Sequence, residues 1–486
     1  MTELQKKNYK IAALFFFLYF FAFSLMLFPH FSLDTFDFYA HNGYEGDLIN
    51  GRAAAYIINL LFLGTDIYQM SWLMTVLAVI FLTLSSVIIY SKIEQASGKN
   101  SLIIAAAVAI LFCNTFMADV FQFNSGCHNI TLGILFASMA LKQNLSLKNL
   151  CASAVLLFIG LSFYQAVLGY YVAMSLVLIY FSHDCNLTLE SVKDSLKIIF
   201  VACAASLACF LELRFLQITE IVYASPRTGA ITFNILIQNL RQIYGLLIEK
   251  ILPTANTTYP QYILPIFLFV IYAVLLYSMI KKRAKSRDYV YSALIILVST
   301  AAVFAPHIFT TSIWTSQRSI FSFWSILTIP VLFIEHWRGD SLKKLLYGIA
   351  ILILSVNIVC MVNMQASLLS SNKIDQEISY LIQSRIDEYE HQTGNKIKTI
   401  AFRNDNDPTW AYKSIDYSGY DFAVRSYTPS WGAGVSLIEY FNNRSYERRP
   451  MTNAEYNEFF QRKNWNIFSL DEQLVFFRDT LYMVSY

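Results

Sequence analysis

Charge is what this sequence has least of. Of its 486 residues, 14% are Asp, Glu, Lys or Arg and 56% are hydrophobic, whereas a soluble globular chain carries about 25% charged residues. The shortage is uneven. From Leu369 to Tyr486 there are 29 charged residues in 118, near the soluble average, and the 368 residues before them hold only 40. Charge alone therefore separates a membrane part from a soluble part. A net charge of +3 is too small to point to nucleic acid. Cysteine is absent after Cys360, the last of seven, so the C-terminal part has no disulfide and must fold by its core. No CxxC or Cys/His pattern of metal-site spacing occurs, and the adjacent pair Cys127–His128 reads as loop residues. Also missing are a phosphate-cradling glycine loop, GxSxG, HExxH and a dinucleotide glycine pattern in a fitting context. That excludes an ATP-driven pump, so any energy the protein needs comes with its substrate. There is no internal repeat and no low-complexity segment.

What the chain has in abundance is long apolar runs. A span needs about 20 apolar residues, and candidates fall at 11–29, 71–91, 101–117, 128–142, 150–164, 165–182, 196–213, 261–280, 289–306, 319–334 and 344–366. The run 150–182 is continuous except for Tyr164 and Gln165, and reads as two short spans or a re-entrant pair. The run after Lys6, Lys7 and Lys10 is longer than a signal-peptide core of roughly 7–15 residues and has no small-residue cleavage site after it. It reads as a first span. The fold expected is mainly α: a polytopic transmembrane helical bundle of about 9–11 spans over residues 1–368, with a soluble α/β domain over 369–486.

Lys and Arg mark the cytoplasmic side. The cluster Lys281-Lys282-Arg283-Ala284-Lys285-Ser286-Arg287 belongs there, and so do Lys92, Lys99, Lys142, Lys148 and Arg338. An odd number of spans then puts the C-terminus outside, in the periplasm of a Gram-negative inner membrane. Outer loops are expected at 29–52 and 214–260. The second includes Ile231–Ile251, whose Phe233, Leu236, Leu240 and Leu247 recur at helical spacing. This is the pattern of a helix lying in the membrane interface. In the tail, Gln376–His391 predicts a helix ended by Thr393-Gly394, Lys396–Phe402 a strand, Glu455–Lys463 a short helix, and Leu474–Phe477 and Thr480–Tyr486 two further strands.

Four carboxylates crowd the first outer loop: Asp34, Asp37, Glu45 and Asp47. A carboxylate at the membrane edge is costly to desolvate and could take a proton from a hydroxyl nucleophile; a hydrated loop with ordinary surface acids is the alternative. Arg52 opens an apolar run where the helix dipole disfavours a cation, so it serves an anion or snorkels to a headgroup. Arg318, beside His307, Trp314 and Gln317, sits where the chain re-enters the membrane, and a guanidinium there can hold phosphate oxygens in a paired geometry. Asp119, with Gln122 and Asn124, could add a second polar patch or be solvated in its loop. Gln165 inside an apolar run must find a partner or line a wet cavity. Trp431 and Trp465 could stack on a sugar face or fill the core of the tail.

These residues resemble a family. Ser32-Leu33-Asp34-Thr35-Phe36 after the first span, Gly51-Arg52, Tyr164-Gln165-Ala166 and Gln317-Arg318-Ser319 are similar, in order and spacing, to the serotype-converting O-antigen glucosyltransferases of bacteria and their phages, the type II glucosyl transferase group. So is the end of the tail, with Trp465, Ile467 to Leu474, Arg478-Asp479-Thr480-Leu481 and Tyr486. The resemblance implies a membrane-embedded glycosyltransferase of the GT-C type. It implies undecaprenyl-phosphate glucose as donor, an O-antigen repeat-unit sugar as acceptor, and a bactoprenol glucosyltransferase and a small flippase as partners in the pathway. It further implies an acidic base in the first outer loop, either Asp34 or Asp37, and a leaving phosphate held by Arg318, Arg52 or Arg241. Trp431 and Trp465 would then serve the acceptor. No cofactor is implied, and a divalent metal is compatible with the residues. A flippase of lipid-linked sugar would also have many spans and outer-edge arginines but no need of a folded tail. An O-antigen acyltransferase would need a His/Asp or Ser/His arrangement within the spans. The charge pattern makes one test direct: alkaline phosphatase fused after Ser371 is expected to be active, and fused after Lys285 inactive. The reverse result overturns the topology.

Overall fold

The computed structural model describes residues 3–32, 35–36, 45–99, 101–223, 231–255, 259–311, 313, 315–338, 342–404, 433–463 and 469–485. In chain order the helices are α1 (Glu3–Ala22), α2 (Glu45–Ile49), α3 (Ala53–Asn59), α4 (Ser71–Ser97), α5 (Leu102–Phe112), α6 (Thr115–Gln122), α7 (Cys127–Ala140), α8 (Leu147–Phe163), α9 (Val167–Ser182), α10 (Leu189–Ile218), α11 (Phe233–Leu246), α12 (Ile263–Lys281), α13 (Ser286–Ile308), α14 (Ser325–Trp337) and α15 (Lys343–Thr393). A tight 3₁₀ stretch, Gln317–Trp324, leads directly into α14. Among the described residues, six helices or helix runs are long and apolar enough to cross a membrane, or seven if the bent pair α5–α6 is one span. Shorter apolar helices fill in the bundle. The protein is thus a mainly α, polytopic helical membrane protein. Its outward-facing Phe17, Phe21, Phe269 and Leu297 are exposed, as lipid-facing residues are.

The bends are built by polar side chains. Between α5 and α6 the chain turns by 53° at Cys113-Asn114. Inside an apolar medium the backbone groups freed by such a break have no water to bind. Asn114 serves both ends: its oxygen accepts from the amides of Phe116 and Met117 at 3.0 and 3.1 Å, and its nitrogen donates to the Leu111 carbonyl at 2.7 Å. The freed Cys113 carbonyl accepts from Asn357 of α15 at 2.7 Å. The long apolar run 150–182 resolves into two helices, α8 and α9, broken at Tyr164–Ala166. Two expectations need correction. Cys127 and His128 open helix α7 and are buried, as is Asp119 within α6. Apolar neighbours on both sides make it favourable to carry the helix through these residues and to satisfy them inside.

The two ends of the bundle differ. At one end Lys99 donates to the carbonyls of Glu335 and His336 at 2.7 and 3.1 Å, Arg338 pairs with Glu335, and Lys92 donates to the Ser138 carbonyl at 3.1 Å. The other end gathers the helix breaks and the residues described below.

α15 is one helix of 51 residues, and it runs straight through position 369. Its Ile378, Ile382 and Ile386 recur every four residues and so share one face. They pack on Ile400, Val435, Ile438, Leu481 and Met483, which makes the same helix a wall of both the bundle and the C-terminal unit. That unit holds β1 (Thr399–Asn404), α16 (Ala433–Asn442), β2 (Glu447–Pro450), α17 (Asn453–Phe459), β3 (Leu474–Phe477) and β4 (Thr480–Ser485). The sheet order is β2-β1-β4-β3, with β1 parallel to both β2 and β4 and with β3 antiparallel to β4. Helix α16 and strand β2 were not foreseen. The Glu-Arg-Arg-Pro of β2 carries no alternation of apolar residues, and its pairing with β1 decides its form.

Thr452 caps α17, accepting from the Glu455 amide at 3.2 Å, while Glu455 accepts in return from the Thr452 amide at 2.8 Å. Arg449 grips the same carboxylate with two bonds of 2.6 and 3.0 Å and draws its pKa from 4.5 down to about 2. A lowered folded-state pKa contributes stability that is full above the unfolded value and is lost as pH falls through the folded value. Hydrogen exchange over residues 447–460 is therefore expected to accelerate as pH falls from about 5 towards 2, after correction for the intrinsic pH dependence. Glu455→Gln should remove most of that pH dependence, and an unchanged profile in the variant refutes the assignment.

Candidate active site

The site begins with a glycine. Gly51 has φ +70°, and a Cβ there would meet Leu213 and the Gln165 amide at 3.6 and 3.7 Å. The left-handed turn lets Gln165, in the break between α8 and α9, donate to the Asn50 and Gly51 carbonyls at 2.8 and 3.1 Å. Gln165 thus finds its partners in the protein and lines a cavity as well. Its oxygen accepts from Arg52 Nε at 3.4 Å, and the Arg52 guanidinium lies 4.8 Å from the Tyr164 ring centroid. Asp47 faces Arg52 at 3.6 Å and accepts from Asn59 at 2.8 Å, and Asn59 accepts from Asn129 at 2.7 Å. The Arg52 side chain keeps 20% of its surface exposed. It is oriented by a chain of buried amides and still open to a ligand.

A second arginine is held differently. Arg318 is 4% exposed and Asp119 is fully buried. Asp119 Oδ2 accepts from the Arg318 backbone amide at 2.9 Å and lies 3.5 Å from its guanidinium. The guanidinium covers the Phe123 ring at 4.8 Å. Two charges this deeply desolvated are mutually dependent, and the carboxylate also anchors the start of the 3₁₀ stretch.

The candidate bases Asp34 and Asp37 lie outside the described residues, as do Trp314, Trp431 and Trp465. The residues flanking Asp34 are tightly held. Asn372 of α15 bonds both sides of the Phe31 peptide positions, accepting from its amide at 2.8 Å and donating to its carbonyl at 3.0 Å. Thr35 Oγ1 accepts from the Ser32 amide at 2.9 Å and donates to Asn124 at 2.8 Å. Asn124 in turn donates to the His30 carbonyl at 2.6 Å. Phe31 and Phe36 pack with Tyr68, Leu437, Tyr440 and Phe441, the Phe36 and Tyr440 rings lying 4.4 Å apart. Tyr440 also donates to Asp66, and burial together with that carboxylate raises its phenol pKa. The C-terminal unit is therefore fastened to the first loop by an aromatic cluster.

Two cavities meet beside Gln165. The first, about 300 Å³, is lined by Asn50, Arg52, Tyr164, Gln165, His307, Thr310 and Ser319 among others. The second, about 600 Å³, is an apolar groove between α8, α9, α10 and α13, with Leu161, Leu168, Val172, Ile199, Ala202, Val298 and Ala302 in its walls. They share Gln165, Ser206, Cys209, Pro306 and Phe309. Beside the polar mouth α11 is anchored by Asn239, which donates to the Ile308 and Thr310 carbonyls at 3.0 and 2.8 Å. Phe233 and Tyr244 remain exposed on α11.

The structure thus brings together Arg52, Asp47 and Gln165 in one network, and Arg318 and Asp119 in another. Asp47 is a fixed, buried member of the first network, not a loosely held loop acid, because Arg52 and Asn59 converge on it. Glu45 is exposed on α2, and Arg241 is exposed on α11 and does not line the polar cavity. Sequence reasoning missed Asn59, Asn129 and Asn372. For Asn59 the available signal was an amide inside an otherwise apolar helix, where it must find a partner; Asn129 and Asn372 stand among polar neighbours and carry no such signal. No group of three or more His, Cys, Asp or Glu among the described residues could hold a metal ion.

A helical membrane protein in which a polar cavity opens into an apolar groove can take a ligand with a charged head and a greasy tail. The family comparison gives that arrangement its chemistry. The Glucosyl transferase GtrII family matches residues 23–334, more than half of the chain, and the chain belongs to that family. The match includes the Ser32–Phe36 loop, both arginine networks and Gln165. No curated protein and no solved structure matches the chain. The activity is therefore glucosyl transfer. Removing a preorganised donor from a charge-stabilising site typically costs about 10²–10³ in rate, so Arg52→Gln is expected to lower glucosyl transfer by that factor at unchanged membrane abundance. Wild-type turnover in this variant would remove Arg52 from the site.

Proposed function

We propose that the protein transfers glucose from undecaprenyl-phosphate glucose to a sugar of the lipopolysaccharide O-antigen, on the periplasmic face of the bacterial inner membrane, so converting the serotype. The observation that carries this reading is the junction of the polar cavity with the apolar groove at Gln165 and Phe309. A polyprenyl chain fits the groove by its apolar walls, and its phosphate would then stand at the Arg52 end, where a guanidinium can give paired hydrogen bonds to oxygen. Arg52 suits this role better than Arg318, whose guanidinium is engaged by Asp119 and Phe123. A nucleotide sugar would leave the groove without purpose.

The reaction is a single displacement. Asp34 or Asp37 takes the proton of an acceptor hydroxyl. The hydroxyl oxygen bonds to the anomeric carbon from the face opposite the phosphate, and the bond from that carbon to the phosphate oxygen breaks. The electron pair leaves with the lipid phosphate, whose charge Arg52 offsets. Inversion converts a β-linked phosphate into an α-glucoside. The bonds from Asn372 and Asn124 to the loop, and the aromatic cluster around Phe36, support a base held in place. The C-terminal unit, reached through that cluster, is suited to present the acceptor. A bactoprenol glucosyltransferase to make the donor and a small flippase to turn it over complete the pathway.

Mass spectrometry of lipopolysaccharide from cells with and without the gene tests the reading. A hexose increment is expected; an acetyl increment or no increment overturns it in favour of acylation or transport. A general base exchanged for its amide typically costs about 10²–10⁴ in rate, so Asp34→Asn is expected to abolish the increment and Asp37→Asn to reduce it. Ala302→Trp, which blocks the groove, should raise KM for the lipid donor and leave that for the acceptor unchanged.

A further inference from the structure

The stretch from Asp119 to Asn129 carries an unusual burden of buried polarity. Asp119 Oδ1, both amide atoms of Gln122, Ser125 Oγ, both ring nitrogens of His128 and Asn129 Oδ1 make no hydrogen bond among the described residues. All five residues are at most 3% exposed. Buried polar groups are almost always paired; a second run of unpaired atoms, at Ser316, Ser322, Trp324 and Ser325, lies in and beside the 3₁₀ stretch, and most of the others in the bundle are single hydroxyls. Here they recur every third residue, at 119, 122, 125 and 128, from α6 across the turn into α7. Asp119 and Gln122 are one turn apart on one face of α6. Opposite them, at the start of the 3₁₀ stretch, Ser316 Oγ is buried and likewise unpaired.

The paired atoms of the same stretch show where it stands. Asp119 Oδ2 holds Arg318. The Phe123 ring is wedged between the Arg318 guanidinium and Gly126, where a Cβ would lie only 2.2 Å from the ring. Asn124 fixes Thr35 and His30 beside Asp34. Asn129 continues through Asn59 to Asp47 and Arg52. The stretch therefore adjoins the base-bearing loop and both arginine networks at once.

The unpaired set mixes donors with acceptors. An amide and an imidazole each offer both, a hydroxyl offers either, and a carboxylate oxygen accepts. A phosphate presents only acceptors and a prenyl chain presents neither, so neither complements this set. A pyranose does, because each of its hydroxyls donates once and accepts as well. We propose that Gln122, Ser125 and His128 form a hexose-recognition face, the subsite that reads the hydroxyls of a sugar ring during transfer. The inference rests on the glucosyl-transfer reading above and adds to it the residues that would distinguish one sugar from another. The ring could belong to the donor glucose or to the acceptor unit; the chemistry is shared, and the experiment separates them.

The test uses the purified full-length protein in detergent, polyprenyl-phosphate glucose as donor and O-antigen polysaccharide as acceptor, with KM measured for each. Gln122→Met, Ser125→Ala and His128→Leu remove unpaired polar groups at similar volume, so Tm without substrate is expected to hold or rise. Each should raise KM for one substrate about tenfold or more, because a site built to bond a hydroxyl loses strongly when a partner is removed. A rise for the donor alone assigns the face to the transferred glucose, and a rise for the acceptor alone assigns it to the O-unit. His128→Gln, which keeps a donor and an acceptor, should recover much of the loss and serves where His128→Leu does not fold. A Tm increase given by saturating substrate to wild type, and lost in the variants, reads the same site without turnover. Wild-type KM values in all three variants, with wild-type protein active, refute the hexose face and leave the transfer reading intact. No transfer by the wild-type protein overturns both.

Discussion

Every part of the site hangs on the need to satisfy backbone groups where a helix breaks inside an apolar medium. A continuous span pairs its own amides and carbonyls; a broken one leaves several unpaired, and lipid offers them nothing. This protein breaks its helices repeatedly at one end of the bundle. Asn114 bonds both sides of the bend between α5 and α6. Gln165 crosses from the break between α8 and α9 to the carbonyls of Asn50 and Gly51. Asp119 accepts the amide of Arg318 where the 3₁₀ stretch begins. Gln165 also lines the polar cavity and accepts from Arg52, and Asp119 keeps a second oxygen outside its bond to the backbone, so these two breaks and the candidate site are one construction.

The same economy ties the C-terminal unit to the membrane part. Because α15 passes unbroken from the bundle into the sheet, the face bearing Ile378, Ile382 and Ile386 packs β1 and β4, while Asn372, a few residues earlier, holds the peptide groups of Phe31. The aromatic cluster of Phe31, Phe36, Tyr440 and Phe441 closes a second link between the loop and α16. A displacement of the C-terminal unit would be felt at the residues flanking Asp34. This gives a physical route between the C-terminal unit and the first loop.

The chemistry divides by polarity. The groove between α8, α9, α10 and α13 is apolar, Arg52 lines the polar cavity that meets it, and the Gln122–His128 stretch carries mixed donors and acceptors. The lipid tail, phosphate and sugar of the proposed donor differ in these same respects. The two arginines also divide their work. Arg52 is partly exposed and oriented through amides, so it can meet a ligand. Arg318 is buried on Asp119 and Phe123, so it holds the architecture around which the site is placed.

The sequence by itself determined the class of molecule. Apolar runs of span length, few charges before Leu369 and normal charge after it are one-dimensional properties, and each has a single physical reading in water and lipid. Periodicity was enough for the helix at Phe233–Leu246, and Gly394 for the end of α15. Short motifs such as Gly51-Arg52 and Tyr164-Gln165 were legible because glycine and buried amides are unfavourable unless a specific geometry uses them. Tertiary structure alone decided the pairings. Asp119 with Arg318 is separated by 199 positions and Asn372 with Phe31 by 341, and no local pattern encodes such distances. Nor could the sequence tell that Asp47 is fixed while Glu45 is exposed, or that Cys127 and His128 begin a helix. Burial depends on which elements meet, and a residue's chemistry in a membrane is set by the partners that burial gives it.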